Sequence, residues 1–202
     1  MVLDVAKRLA RLLEAEGVRV SLSRTGDYFV PLKERTSFAN GQRADLFVSI
    51  HANAHRVSAS EGVETYFLSS EATDNDARAV AAFENGVIAL EAHKPKEDIL
   101  KSILWDMAQS QFQEESSHLA ETLQDSLAQG LGLQSRGVKQ AAFYVLGGAA
   151  MPAVLVEAGF VTNPREERRL MDDAYRERVA RALATGLLNY KRRYDQRMGD
   201  AR

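Results

Sequence analysis

A chain of 202 residues with 45% apolar side chains has the length and composition of one globular domain with an ordinary core. Its 26 Lys and Arg against 28 Asp and Glu leave a net charge of −2, with no basic excess to recruit nucleic acid or an anionic membrane. The absence of cysteine excludes disulfides, thiolate metal sites and a cysteine nucleophile, so any metal must be held by His and carboxylates.

In chain order, Val5, Leu9, Leu12 and Leu13 recur at helical spacing and predict a helix over Leu3–Glu16 that Gly17 stops. Asp4, Lys7 and Arg8 interrupt this stretch, so it does not read as a signal peptide. Val18, Val20 and Leu22 alternate with polar residues and predict a strand over Val18–Ser23. Pro31 opens a short helix that runs to Gly41. Leu46, Phe47, Val48 and Ile50 then form a short apolar run suited to a strand buried on both faces, ending at His51. A further strand is expected over Gly62–Leu68. From Asp74 the pattern becomes helical, with helices near 74–92, 95–112 and 114–131, the second carrying Leu100, Ile103, Leu104 and Met107 on one face. Val138 and the run Phe143–Leu146 precede another apolar strand, Ala153–Val156, which ends at Glu157. Asn163 and Pro164 cap a short helix, and Tyr175, Val179, Leu183, Leu187 and Tyr190 mark a long closing one. The longest uncharged stretch, Ala141–Val156, is broken by Gly147, Gly148 and Pro152, so no transmembrane segment is expected. This order is an α/β layer fold.

The chemistry gathers at two strand ends. In open α/β sheets ligands bind beyond the carboxyl ends of strands, where this chain places His51 beside small Ala52 and Glu157 beside Ala158 and Gly159. There is no Gly-x-Ser-x-Gly turn and no Gly-rich phosphate loop. A metal-assisted or general-base hydrolase is favoured over a nucleotide-binding protein. His55, His93 and His118 read as non-ligands: His55 follows His51 at a spacing that shares a face only in a helix, and the other two lie in the helical section.

Longer motifs say more. Ser49-Ile50-His51-Ala52-Asn53, the run Arg136-Gly137-Val138-Lys139-Gln140 leading to Phe143-Tyr144-Val145-Leu146, and Met151-Pro152-Ala153-Val154-Leu155-Val156-Glu157-Ala158-Gly159-Phe160 with Thr162-Asn163 closely resemble the zinc-dependent N-acetylmuramoyl-L-alanine amidases that split daughter cells. The resemblance covers almost the whole chain. It implies a twisted, mostly parallel sheet flanked by helices, in a single catalytic domain over residues 1–202 with a helical insertion at 74–112. It implies a peptidoglycan substrate, cleaved at the amide between N-acetylmuramic acid and the L-alanine of the stem peptide, and a place in the periplasm or cell envelope. By motif, His51 matches a zinc ligand and Glu157 the catalytic glutamate. The family's first strand, with its other histidine and its glutamate ligand, has no counterpart after Met1, so the resemblance implies a zinc site that is incomplete in this chain.

Some amidases of this type carry an inserted helix that occludes the zinc until an activator protein displaces it. On a helical wheel Glu84 and Glu91 fall within the apolar face made by Val80, Phe83, Val87, Ile88 and Leu90, where a carboxylate needs a partner. They are the autoinhibitory candidates, against the plainer expectation of a salt bridge to Lys or Arg. Two other outcomes differ in class: an inactive homologue that binds peptidoglycan or an activator without cleavage, and self-association through unpaired strand edges.

Overall fold

The computed structural model describes residues 1–90 and 112–200. Its axis is a strand in which every residue is buried, Ala153–Phe160. In chain order the described elements are α1 (Val2–Ala15), α2 (Leu32–Gly41), β1 (Phe47–Asn53), β2 (Val63–Leu68), α3 (Asn75–Asn85) running into a 3-10 turn (Gly86–Leu90), α4 (Gln113–Leu131), β3 (Ser135–Ala141), β4 (Ala153–Phe160), α5 (Pro164–Met171) and α6 (Asp173–Asp200). The sheet order is β1-β4-β2-β3. β4 runs parallel to β1 and antiparallel to β2, and β2 runs parallel to β3, so the sheet is mixed, with parallel pairing in two of its three ladders.

Alternation along β4 assigns its side chains to two cores. Val154, Val156 and Ala158 join Val5 and Leu9 of α1, Leu119 and Leu123 of α4, and Val179 and Leu183 of α6. Ala153 and Leu155 join Val80, Ile88, Phe143 and Leu146 on the other side. Glu157 follows Leu155 at the same parity, so the sheet aims it at the second side, toward α3. Each fully buried Leu or Val here contributes roughly 1.5–3 kcal/mol relative to exposure.

Four expectations are corrected. β1 is only partly buried, in contrast to the two-sided burial its apolar run suggested, because it has a single sheet neighbour among the described residues. Val18–Ser23 forms no strand; Val18 and Val20 instead rest on the first core, so the alternating pattern records one-sided packing without ladder pairing. Phe83, placed on the apolar face of its helix by the wheel, is 61% exposed, because α3 presents Ala77, Val80 and Ala81 to the core. The helix expected to reach Ala92 narrows to 3-10 after Asn85, whose side chain donates to the Ala142 carbonyl at 2.8 Å and accepts from the Tyr144 amide at 2.8 Å. Most of the second expected helix, with Glu91 and His93, lies outside the described residues.

Gly159 adopts φ +144, where a Cβ would sit 3.4 Å from Leu170 and 3.5 Å from the Glu166 carboxylate. A bare backbone lets α5 close over the end of β4.

Candidate metal and catalytic centre

Register assembles the site. In the parallel β1–β4 ladder His51 stands opposite Glu157, and the last turn of α3 adds Glu84. His51 Nδ1 lies 2.7 Å from Glu84 Oε2. One ligand atom from each of His51, Glu84 and Glu157 falls within 4.8 Å of the others. His51 and Glu84 retain side-chain exposures of 12% and 16%, so the group opens to solvent on the α3 side.

Glu157 is the unusual member. It is fully buried, and neither of its carboxylate oxygens has a hydrogen-bond partner among the described residues. Burial, reinforced by the charges of Glu84 and Glu64, holds its carboxyl well above the ordinary range. An unpaired buried carboxylate beside another acid needs either a proton or a cation. The imidazole and carboxylate donors are a set suited to zinc, with His51 and Glu84 at the solvent side of the group.

His51 is oriented from behind. Its Nε2 is 2.9 Å from Ser49 Oγ, a hydrogen bond that turns Nδ1 toward the carboxylates. Sequence reasoning gave Ser49 no role, although its position two residues before His51 on a strand is the signal for a shared face. Glu64 was also missed. It stands opposite Glu157 in the β2–β4 ladder and is visible in sequence only as an acid inside the apolar run Val63–Leu68.

Glu157 has no Arg partner among the described residues, and Glu84 pairs with His51 in place of the Lys or Arg expected for it. His55 lies apart from the cluster: its Nδ1 accepts from the Val57 amide at 3.1 Å and sits 2.9 Å from Ser60 Oγ. His118, on α4, is likewise outside the group.

The fold and donor set define an α/β domain with a candidate His-carboxylate metal centre at the carboxyl end of its central strand. Residues 1–189 match the N-acetylmuramoyl-L-alanine amidase family. The chain is 34% identical to N-acetylmuramoyl-L-alanine amidase AmiA of Salmonella typhimurium, over 96% of this chain and 68% of that protein. It is 35% identical to amidase LytC of Bacillus subtilis over 94% of this chain and 30% of that protein. Among solved structures it superposes on amidase AmiC2 of Nostoc punctiforme with a TM-score of 0.68 at 29% identity, covering 94% of this chain and 82% of that one. This chain belongs to the N-acetylmuramoyl-L-alanine amidase family.

Proposed function

We propose that the domain hydrolyses the amide between N-acetylmuramic acid and the L-alanine of the stem peptide, in the periplasm or cell envelope, during cell-wall remodelling and daughter-cell separation. The observation that carries this reading is the orphaned Glu157 carboxylate in register with His51. Glu157 takes a proton from the attacking water and returns it to the leaving amine, a role that suits a carboxyl whose proton affinity is raised. His51, steadied by Ser49, would be one ligand of a zinc that needs others to complete its shell. When bound, zinc supplies Lewis-acid chemistry that polarises the scissile carbonyl and acidifies water. Identity at this level with named hydrolases does not favour the reading as a non-cleaving binder.

Glu84 gives the centre a closed state. Its carboxylate occupies the Nδ1 side of His51, where a metal and then a substrate must be accommodated, so α3 acts as a plug that an activator protein lifts away. The stretch 74–112 then serves as a regulatory insertion. The test pairs zinc stoichiometry with hydrolysis. After exposure to zinc and desalting, retention of close to one equivalent, lost in His51→Ala, would mean that ligands beyond His51 complete the site, since a catalytic zinc takes three protein ligands. Release of stem peptides from muropeptides, followed by mass spectrometry, should depend on that zinc. A preparation that holds zinc and cleaves nothing, even with Glu84 replaced by Ala, would sink the catalytic reading.

A further inference from the structure

Five arginines gather where the end of α4, the start of β3, the helix α5 and the first turns of α6 meet, in a protein whose net charge is −2. Two concavities of about 510 and 490 Å³ run together there, sharing Gly132, Leu133, Arg165 and Arg169. Arg168 and Arg178 line the first and Arg136 the second. Arg136 is committed to Glu64 at 2.7 Å. The others are loosely answered. Arg165 reaches Glu61 at 3.8 Å and Arg169 reaches Glu166 at 3.9 Å. Both Glu166 oxygens already accept backbone amides, those of Gly62 at 3.1 Å and Phe160 at 2.9 Å. Arg178 donates to the Leu131 carbonyl at 3.2 Å and covers the Tyr175 ring. Arg168 is exposed and has no carboxylate partner among the described residues.

Tyr175 lines the first concavity at 7% exposure, and its buried hydroxyl has no hydrogen-bond partner among the described residues. Forked, underused guanidinium donors lining one concavity are a receptor for a planar anion.

We propose that this concavity binds the free carboxylates of peptidoglycan stem peptides, as an anchoring site separate from the cleavage centre. The choice of polymer rests on the amidase reading; the anion chemistry does not. Guanidinium forks match carboxylates two bonds at a time. Glu61 and Asp172 at the rim oppose a dense phosphate surface, whereas they suit a peptide that carries amino groups beside its carboxylates. The concavity faces the side of α5 and α6, whose Leu170 and Tyr175 belong to the first core, while Glu157 points to the other side. Phe160, where α5 is tied down, lies three residues beyond Glu157, roughly 10 Å along an extended strand. A polymer held there raises the effective concentration of neighbouring bonds at the cleavage centre, so the site matters for an intact wall and little for a small fragment.

The test is co-sedimentation of the full chain, with chelator present to stop hydrolysis, against purified sacculi, sacculi whose carboxylates have been amidated with carbodiimide and ammonium, and vesicles of mixed anionic and neutral phospholipid. The wild type should pellet with native sacculi, and R165Q/R168Q should bind about tenfold more weakly, the loss of two solvent-exposed ion pairs. Amidated sacculi should lose wild-type binding to a similar degree, and R165K/R168K should recover part of it. Unchanged thermal melting establishes that the glutamine variant is folded. Equal binding by the glutamine variant, equal binding to amidated sacculi, or stronger pelleting with vesicles would each overturn the proposal. Cleavage of a soluble muropeptide by the same protein, freed of chelator and exposed to zinc, separates the two readings: arginine-dependent binding without cleavage supports the anchoring site and removes only the catalytic one.

Discussion

Glu64 and Glu157 face each other across the β2–β4 ladder, both at 1% exposure or less, and their surroundings differ completely. Around Glu64 the fold supplies Tyr66 Oη at 2.6 Å, Arg136 Nε at 2.7 Å, Lys139 Nζ at 3.3 Å and Asn53 Nδ2 at 3.3 Å. Around Glu157 it supplies no hydrogen-bond donor among the described residues. Burial works against ionisation of Glu64, but the Tyr66 hydroxyl and the Arg136 guanidinium outweigh it and hold the carboxyl below its ordinary value. Burial works against Glu157 unopposed. The same sheet can therefore satisfy a buried acid, which supports the proposal that the unsatisfied one is a site for chemistry.

The sharpest way to break the comparison is Glu157→Gln. It should lower muropeptide hydrolysis by about 10²–10⁴-fold while leaving the thermal stability of the metal-free protein unchanged or higher, since the amide needs no counter-charge. A large loss of stability would assign Glu157 a structural role. Glu64→Gln should do the reverse on stability, costing about 3 kcal/mol in urea unfolding at neutral pH, because Lys139 would keep only Asp74, at 3.1 Å.

Acid should separate the two residues further. The folded-state pKa of Glu64 lies below the ordinary 4.5, so its stabilisation is present above that value and is lost as pH falls through the folded pKa. Glu157 has the opposite sign: its favourable contribution is complete below 4.5 and is lost as pH rises through its elevated folded pKa. Stability of the metal-free protein against pH should therefore flatten on the acid side in Glu64→Gln and decline less on the neutral side in Glu157→Gln. Superimposable curves for wild type and both variants would refute the contrast.

Glu84→Ala should raise basal hydrolysis roughly tenfold, the scale of one charge-assisted hydrogen bond to His51. Adding Glu91→Ala shows whether the neighbouring stretch contributes, and unchanged activity in the double variant would count against the plug. The smallest effect is on the far side of the sheet. At Gly130 a Cβ would lie 2.8 Å from Ala182 Cβ, so Gly130→Ala should cost about 1 kcal/mol, the overpacking of α4 against α6 being partly offset by the better helix propensity of alanine. Cleavage of a soluble muropeptide should not change, because the contact lies on the side of the sheet away from Glu157.

Much of the frame was legible because local patterns coincide with tertiary demands. Asn163 and Pro164 announced α5, and the Asn163 side chain accepts from the Arg165 amide at 2.9 Å and the Glu166 amide at 3.3 Å. Gly17 announced the end of α1, where the Val18 amide bonds back to the Leu13 carbonyl at 3.0 Å. His51 and Glu157 stood out because each follows an apolar run. β3 was illegible, since Ser135–Ala141 is polar along most of its length and becomes a strand through pairing with β2 alone.

By itself the sequence determined the layer class, the helix ends, the two strand-end polar groups and, through its motifs, the amidase family, because these depend on local spacing and on residue identity. Only the tertiary structure decided that β1 lies at a sheet edge among the described residues while β4 is central, that Glu84 closes on His51, and that Glu64 is answered while Glu157 is not. Those outcomes depend on strand order, register and the reach of side chains from distant elements, which no single stretch of sequence encodes.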